Sequence, residues 1–144
     1  MSASEEPAAP SAPRPKVLIV DDDRNILQVF TISLGAYGVD VITAENGMNG
    51  FTIALTEEPD VIVTDYTMPG GSGDYFIGRL KREPETRDIP VIVLTGRKFE
   101  GQEDMALKRD MLGRGGAVAY LSKPVALDAL LGELQKHVTL GALA

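Results

Sequence analysis

A doubly wound α/β fold, with a parallel sheet covered by helices on both faces, is what this sequence predicts. Three observations carry the prediction. Short continuous apolar runs recur along the chain, as at 16–20, 60–64, 90–94 and 117–121, and such runs read as strands buried on both faces. Segments with helical periodicity alternate with them. A polar residue follows almost every run: Asp21, Asp65, Thr95 and, two residues on, Lys123.

The elements follow in order. Lys16–Val20 is the first strand. Arg24–Tyr37 reads as a helix, with Leu27, Phe30 and Leu34 on one face and Gly38 as its stop. Val39–Thr43 is a β-branched second strand. Asn46–Glu58 is a second helix with Met48, Phe51 and Leu55 facing inward, closed by Pro59. Asp60–Thr64 is the third strand. Gly70-Gly71-Ser72-Gly73 forms a loop, and Asp74–Arg82 a third helix that ends before Pro84. Pro90–Leu94 is the fourth strand. Residues 97–114 are compatible with a fourth helix anchored by Met105, Leu107, Met111 and Leu112. Ala117–Leu121 is the fifth strand, and Leu127–Val138 a fifth helix with Leu127, Leu130, Leu131, Leu134 and Val138 facing in.

Five strands linked through helices imply right-handed crossovers. The flavodoxin-like strand order 2-1-3-4-5 places the ends of strands 1 and 3 side by side at the switch point, where ligands bind. That order gathers Asp21, Asp22 and Asp65. No glycine-rich dinucleotide fingerprint follows the first strand; three aspartates stand there instead, and they would repel a nucleotide phosphate.

Converging carboxylates repel one another unless a cation joins them. An oxygen-only ligand set, with no Cys in the chain and a single His, points to Mg2+ or Mn2+. A divalent ion plus Lys123 would balance Asp21, Asp22 and Asp65. A phosphoryl group arriving at this edge would then meet the metal, an ammonium and the Thr95 hydroxyl, the parts that phosphoryl transfer needs. Asp65, at the end of the central strand, is the nucleophile candidate. Taken singly, each of these residues has a plainer reading. Asp65 and Thr95 could cap a turn, Asp23 could cap the first helix, and Lys123 could be an ordinary surface lysine. Their joint placement at the ends of strands 1, 3, 4 and 5 favours the site.

Composition narrows the function further. The 144 residues predict one domain with a real core, at 44% hydrophobic. A net charge of −7 argues against direct nucleic-acid binding. Without cysteine there are no disulfides or thiolate chemistry. His137 falls near the predicted end of the last helix, where a cation suits the helix dipole. No segment has the apolar length of a membrane span. The first fifteen residues, with four of the nine prolines and no apolar stretch, read as a disordered tail rather than an export signal. The domain is expected over 16–138 with a short C-terminal tail over 139–144, and the cytoplasm is the expected compartment.

Asp21-Asp22 after the first strand, Asp65 with Met68-Pro69 after the third, Thr95 after the fourth and Lys123-Pro124 after the fifth resemble the receiver domain of two-component response regulators. The resemblance covers 16–138. It implies that Asp65 accepts a phosphoryl group from a phosphohistidine on a sensor histidine kinase or phosphotransfer protein. It implies that Asp22 and Asp65 ligate Mg2+ directly, Asp21 largely through water, and the Thr67 backbone carbonyl as a further ligand. Lys123 would pair with a phosphoryl oxygen, and its bond to Pro124 would be cis. Thr95 and Tyr120 would move together as a switch that alters the face formed by the fourth helix, fifth strand and fifth helix, where an unidentified downstream protein would bind. The implied protein is a phosphoacceptor switch that catalyses its own phosphorylation and dephosphorylation, not a conventional enzyme.

Two departures from that pattern stand out. No output domain follows the last helix, which suggests a stand-alone, chemotaxis-regulator-like receiver. The stretch between Thr95 and Lys123 is longer than the family norm and holds five of the fourteen basic residues. It reads either as a longer solvated helix and loop or as a remodelled partner surface. Two rival functions remain. A haloacid-dehalogenase-like phosphohydrolase would use Asp21 as nucleophile with Asp23 two residues on, but needs a late acidic pair absent after Lys123. A degenerate receiver would bind partners without phosphorylation.

Overall fold

The computed structural model of the chain describes residues 14–66, 73–96, 101–103, 105, 106, 109 and 116–141. Five parallel strands, β1 (Lys16–Val20), β2 (Asp40–Ala44), β3 (Val61–Asp65), β4 (Val91–Thr95) and β5 (Ala119–Ser122), form one sheet in the order β2-β1-β3-β4-β5. This is the 2-1-3-4-5 order expected. The helices are α1 (Arg24–Gly35), α2 (Gly47–Glu57), α3 (Gly73–Arg82) and α5 (Leu127–Leu134). Residues 101–103, 105, 106 and 109 also have helical backbone, and this region is called α4.

Side-chain alternation along the strands divides the core into two layers. Val17 and Ile19 of β1 point to one face with Val61, Val63, Ile92 and Leu94, where α1 contributes Leu27, Phe30 and Leu34 and α5 contributes Leu130, Leu131 and Leu134. Leu18 and Val20 point to the other with Ile62, Val91, Val93 and Tyr120, where α2 and α3 contribute Phe51, Ala54, Phe76, Ile77 and Leu80. Every residue of β1 from Val17 to Val20 is fully buried, which is why the run has no alternation of polar residues. Full burial of one such aliphatic side chain contributes about 2 kcal/mol, so these two layers are the main source of stability.

The helix ends show local causes. The Asp23 carboxylate accepts the Asn25 N–H at 2.9 Å and caps α1. At the other end Gly38 adopts φ 81°, and the chain turns so that the Val39 N–H reaches the Leu34 carbonyl at 3.3 Å. Asn46 caps α2 through the Asn49 N–H at 2.8 Å.

Several boundaries differ from the sequence reading. β2, β3, β4 and β5 each reach one residue further toward their C-terminal ends than apolar content suggested. Asp65 is still paired with Leu94, and Thr95 with Ser122, so both belong to the ladder. α1 ends at Gly35 rather than Tyr37, and α5 at Leu134 rather than Val138. Val138 nonetheless packs against the core, which explains the extended periodicity. His137 therefore lies beyond the helix, with its N–H on the Leu134 carbonyl at 2.9 Å. The inward face of α2 also changes: the buried stripe is Gly47, Gly50, Phe51 and Ala54, while Met48 is 68% exposed and Leu55 is half-buried. Phe51 and Leu55 pack on the core as expected, Met48 does not, and Gly47 and Gly50 stand where the helix meets Phe76 of α3.

Arg14 and Pro15, assigned to the tail, are tied to the sheet: Arg14 Nε lies 2.8 Å from Asp40, and the Pro15 carbonyl accepts the Asp40 N–H. Gly141, assigned to the C-terminal tail, donates its N–H to the Tyr37 carbonyl at 2.7 Å. Residues 1–13 and 142–144 lie outside the described residues. So do residues 67–72, including Thr67, and most of 97–115, including the expected anchors Leu107, Met111 and Leu112. Met105, the expected anchor that is described, is 43% exposed. Among the described residues no helix is long and apolar enough to cross a membrane.

Candidate functional site

The strand register builds the site. Val20 pairs with both Ala44 and Thr64, so the residue that follows β1, Asp21, stands beside Asp65 at the end of β3. Thr95 closes β4 opposite Ser122, and its carbonyl accepts the Lys123 N–H at 2.7 Å. Four strand ends thus deliver their polar residues to one edge of the sheet. Carboxylate oxygens of Asp21, Asp22 and Asp65 all lie within 4.8 Å of one another. Asp21 and Asp65 are buried and Asp22 is exposed.

The Lys123 ammonium bridges the two buried carboxylates, 3.1 Å from Asp21 Oδ2 and 3.0 Å from Asp65 Oδ1. The Lys123–Pro124 peptide bond is cis. Asp21 Oδ1 accepts the Asp23 N–H at 2.9 Å, which holds the turn into α1. The Asp21 N–H donates to the Ala44 carbonyl at 3.1 Å, tying the acidic turn to the end of β2. At the rim, Arg24 and Glu45 form an exposed ion pair at 2.9 Å, which contributes little to stability. Thr95 and Tyr120 are both buried. Thr95 stands at this edge, while Tyr120 lies on β5 within the α2 and α3 core layer.

Electrostatics here are strained in one direction. Burial pushes the Asp21 carboxyl above its ordinary value of 3.8, against the opposing effects of the Asp23 N–H and Lys123. For Lys123, burial alone would lower the pKa, but the bonds to Asp65 and Asp21 outweigh it and hold the ammonium above its ordinary value. The set therefore has one cation for three carboxylates. The donors are all oxygen and converge on one point, so the residues fit a hard divalent cation such as Mg2+.

A pH dependence follows from Asp21. Its pKa is raised on folding, so the folded state binds this proton more readily than the unfolded chain. Its contribution to stability is fully present below 3.8 and is lost as the pH rises through the raised value. In chelator, the stability of Asp21→Asn relative to the parent is expected to improve as the pH rises through that interval. Chemical denaturation at a series of pH values reads it; a difference independent of pH would contradict the assignment.

Of the residues singled out in the sequence, the structure brings together Asp21, Asp22, Asp65, Thr95 and Lys123. Thr67 lies outside the described residues. Asp23 is engaged as a helix cap. Sequence reasoning missed a groove beside Lys123, about 500 Å³, lined by Asn25, Ile26, Val29, Phe30, Pro124 and Val125 among others. Its signal was an apolar residue on α1 beyond the core stripe: Val29, which lines the groove, is 57% exposed.

Comparisons with known proteins agree with this geometry. The family model described as response regulator receiver domain matches residues 17–135. Protein PilH of Pseudomonas aeruginosa is 37% identical over 116 residues, spanning 81% of this chain and 91% of that protein. The phosphate regulon transcriptional regulatory protein PhoB of the same organism is 34% identical, and the match takes in 83% of this chain but 49% of PhoB. Among solved structures, the chemotaxis response regulator CheY4 of Vibrio cholerae superposes with a TM-score of 0.74 at 29% identity, covering 87% of this chain and 99% of that one. The chain belongs to the response regulator receiver domains, the signalling switches of two-component systems.

Proposed function

We propose that Asp65 accepts a phosphoryl group from the phosphohistidine of a sensor histidine kinase or phosphotransfer protein, in a Mg2+-dependent reaction. The observation that carries this reading is the convergence of three carboxylates with an ammonium that touches two of them. Asp21, Asp22 and Asp65 would hold the cation, with the Thr67 carbonyl as a further ligand. Bound there, the cation supplies charge neutralisation for the attacking carboxylate and the phosphoryl oxygens.

The chain's own residues do the rest. An Asp65 carboxylate oxygen attacks phosphorus in line, and the P–N bond to the donor imidazole breaks with its electron pair passing to nitrogen. Lys123 leaves Asp65 and follows the charge onto a phosphoryl oxygen. The Thr95 hydroxyl turns toward the same group, and Tyr120 fills the space behind it. The two-state change then alters the surface of α4, β5 and α5, the proposed seat of the downstream partner. The groove along α1 flanks Lys123 and offers apolar surface for the phosphodonor. Phosphorylation and later hydrolysis are self-catalysed in this reading, and the cytoplasm is the proposed compartment, where ATP charges the donor.

Incubation with a small acyl phosphate tests the proposal. With Mg2+, intact mass is expected to show the gain of one phosphoryl group; with chelator, none. A phosphohydrolase would instead turn over phosphomonoesters repeatedly and stop with Asp21→Asn. Absence of both mass gain and turnover with Mg2+ would leave only a phosphorylation-independent binding module.

A further inference from the structure

We propose that Gly50, in α2, is a positioning residue for the cation and phosphoryl site. The inference rests on the Mg2+ reading above and concerns what holds Asp21 and Asp22 in place. A β-carbon built on Gly50 would stand 2.9 Å from Val20 Cγ2 and 3.2 Å from Phe76 Cζ. One turn earlier, a β-carbon on Gly47 would stand 3.2 Å from Phe76 Cβ. Both glycines are buried, and Phe76 of α3 is wedged against them. Val20 cannot yield easily: it is fully buried, and its branched side chain has few rotamers.

Two short routes lead from this contact to the metal ligands. Val20 is the residue before Asp21, so displacement of its side chain acts directly on the acidic turn. The second route runs through α2 itself. Its cap, Asn46, holds the Asn49 N–H through its side chain and the Gly50 N–H through its carbonyl at 2.9 Å. Two residues before that cap, the Ala44 carbonyl accepts the Asp21 N–H at 3.1 Å. A helix pushed outward at Gly50 therefore pulls on the same residue that Val20 pushes. Alanine is the better helix former, so the helix alone gives no reason for glycine here. The close approach of α2 to the end of β1 does.

The test compares Mg2+ affinity, read by backbone amide shifts in NMR titrations, for the parent, Gly50→Ala, Gly50→Ala with Val20→Ala, and Leu134→Ala. Gly50→Ala is expected to weaken Mg2+ binding about tenfold, the effect typical of losing support behind a ligand. Val20→Ala in the same background, by making room for the added methyl, is expected to restore most of it. Leu134→Ala, in α5, is expected to lose stability and keep parental affinity. Parental affinity in folded Gly50→Ala would overturn the inference. So would a loss that Val20→Ala does not relieve, or an equal loss in Leu134→Ala. If the parent itself binds no Mg2+, the cation reading fails first and takes this inference with it.

Discussion

Asp65→Asn is expected to abolish phosphorylation by acyl phosphate in Mg2+, to below detection by intact mass. An amide at this position is a poor nucleophile, and no neighbouring group can replace it. Asp21 is buried with both oxygens engaged, one by the Asp23 N–H and one by Lys123. Asp22 is exposed, and the Lys123 ammonium touches Asp21 and Asp65. The substitution should not unfold the protein. Residue 65 keeps its place in the ladder beside Leu94, and a near-isosteric change of one polar side chain costs about 1 kcal/mol. Because Asp65 would also hold the cation, loss of phosphorylation isolates the chemistry in a folded variant that still binds Mg2+ at the concentration used. Continued phosphorylation of Asp65→Asn would move the nucleophile elsewhere.

Lys123→Ala is expected to change Mg2+ binding and phosphorylation with opposite signs. The ammonium lies 3.1 Å from Asp21 and 3.0 Å from Asp65, where it competes with a cation for both carboxylates. Removing it should tighten Mg2+ binding by about tenfold, a modest figure because the lysine side chain is 25% exposed and screened by water. The same variant should be phosphorylated about 100-fold more slowly, since a positioned charge for the phosphoryl oxygens is lost. In chelator it should be less stable, because Asp21 then stays buried without its partner. Calorimetric titration with Mg2+ and the rate of mass gain check the two signs. A parallel loss of both would mean that Lys123 holds the site together rather than occupying it.

Much of this arrangement is written in the chain, for a reason the register makes plain. Asp21, Asp65, Thr95 and Lys123 follow apolar runs, and parallel strands of one sheet end on one edge. Knowing the strand order is then enough to bring those residues together. What apolar content cannot show is where a ladder stops. Apolar content ends the strands at Thr64 and Leu94, yet Asp65 and Thr95 are paired strand residues, and this accounts for their burial.

The face of α2 was misread for a related reason. Phe51 and Leu55 do pack on the core, but Met48 is more hydrophobic than Gly47 and Gly50, so a search for large apolar residues takes it and passes over the glycines. The helix in fact turns its small residues toward Val20 and Phe76, where no larger side chain fits. The end of α5 shows the converse. Val138 packs on the core from beyond the helix, so helical spacing reported burial and not hydrogen bonding. The groove along α1 was hidden because Ile26 and Val29 fall outside the core stripe, and sequence alone does not distinguish a second apolar face from chance.

The most direct test of the central claim is the position of the phosphoryl group. After reaction with acyl phosphate and Mg2+, reduction with borohydride converts an aspartyl phosphate to homoserine, which peptide mass mapping can place. The expected result is homoserine at position 65 and at no other aspartate. Homoserine at Asp21 or Asp22, or none at all, would contradict the assignment of Asp65 as the acceptor.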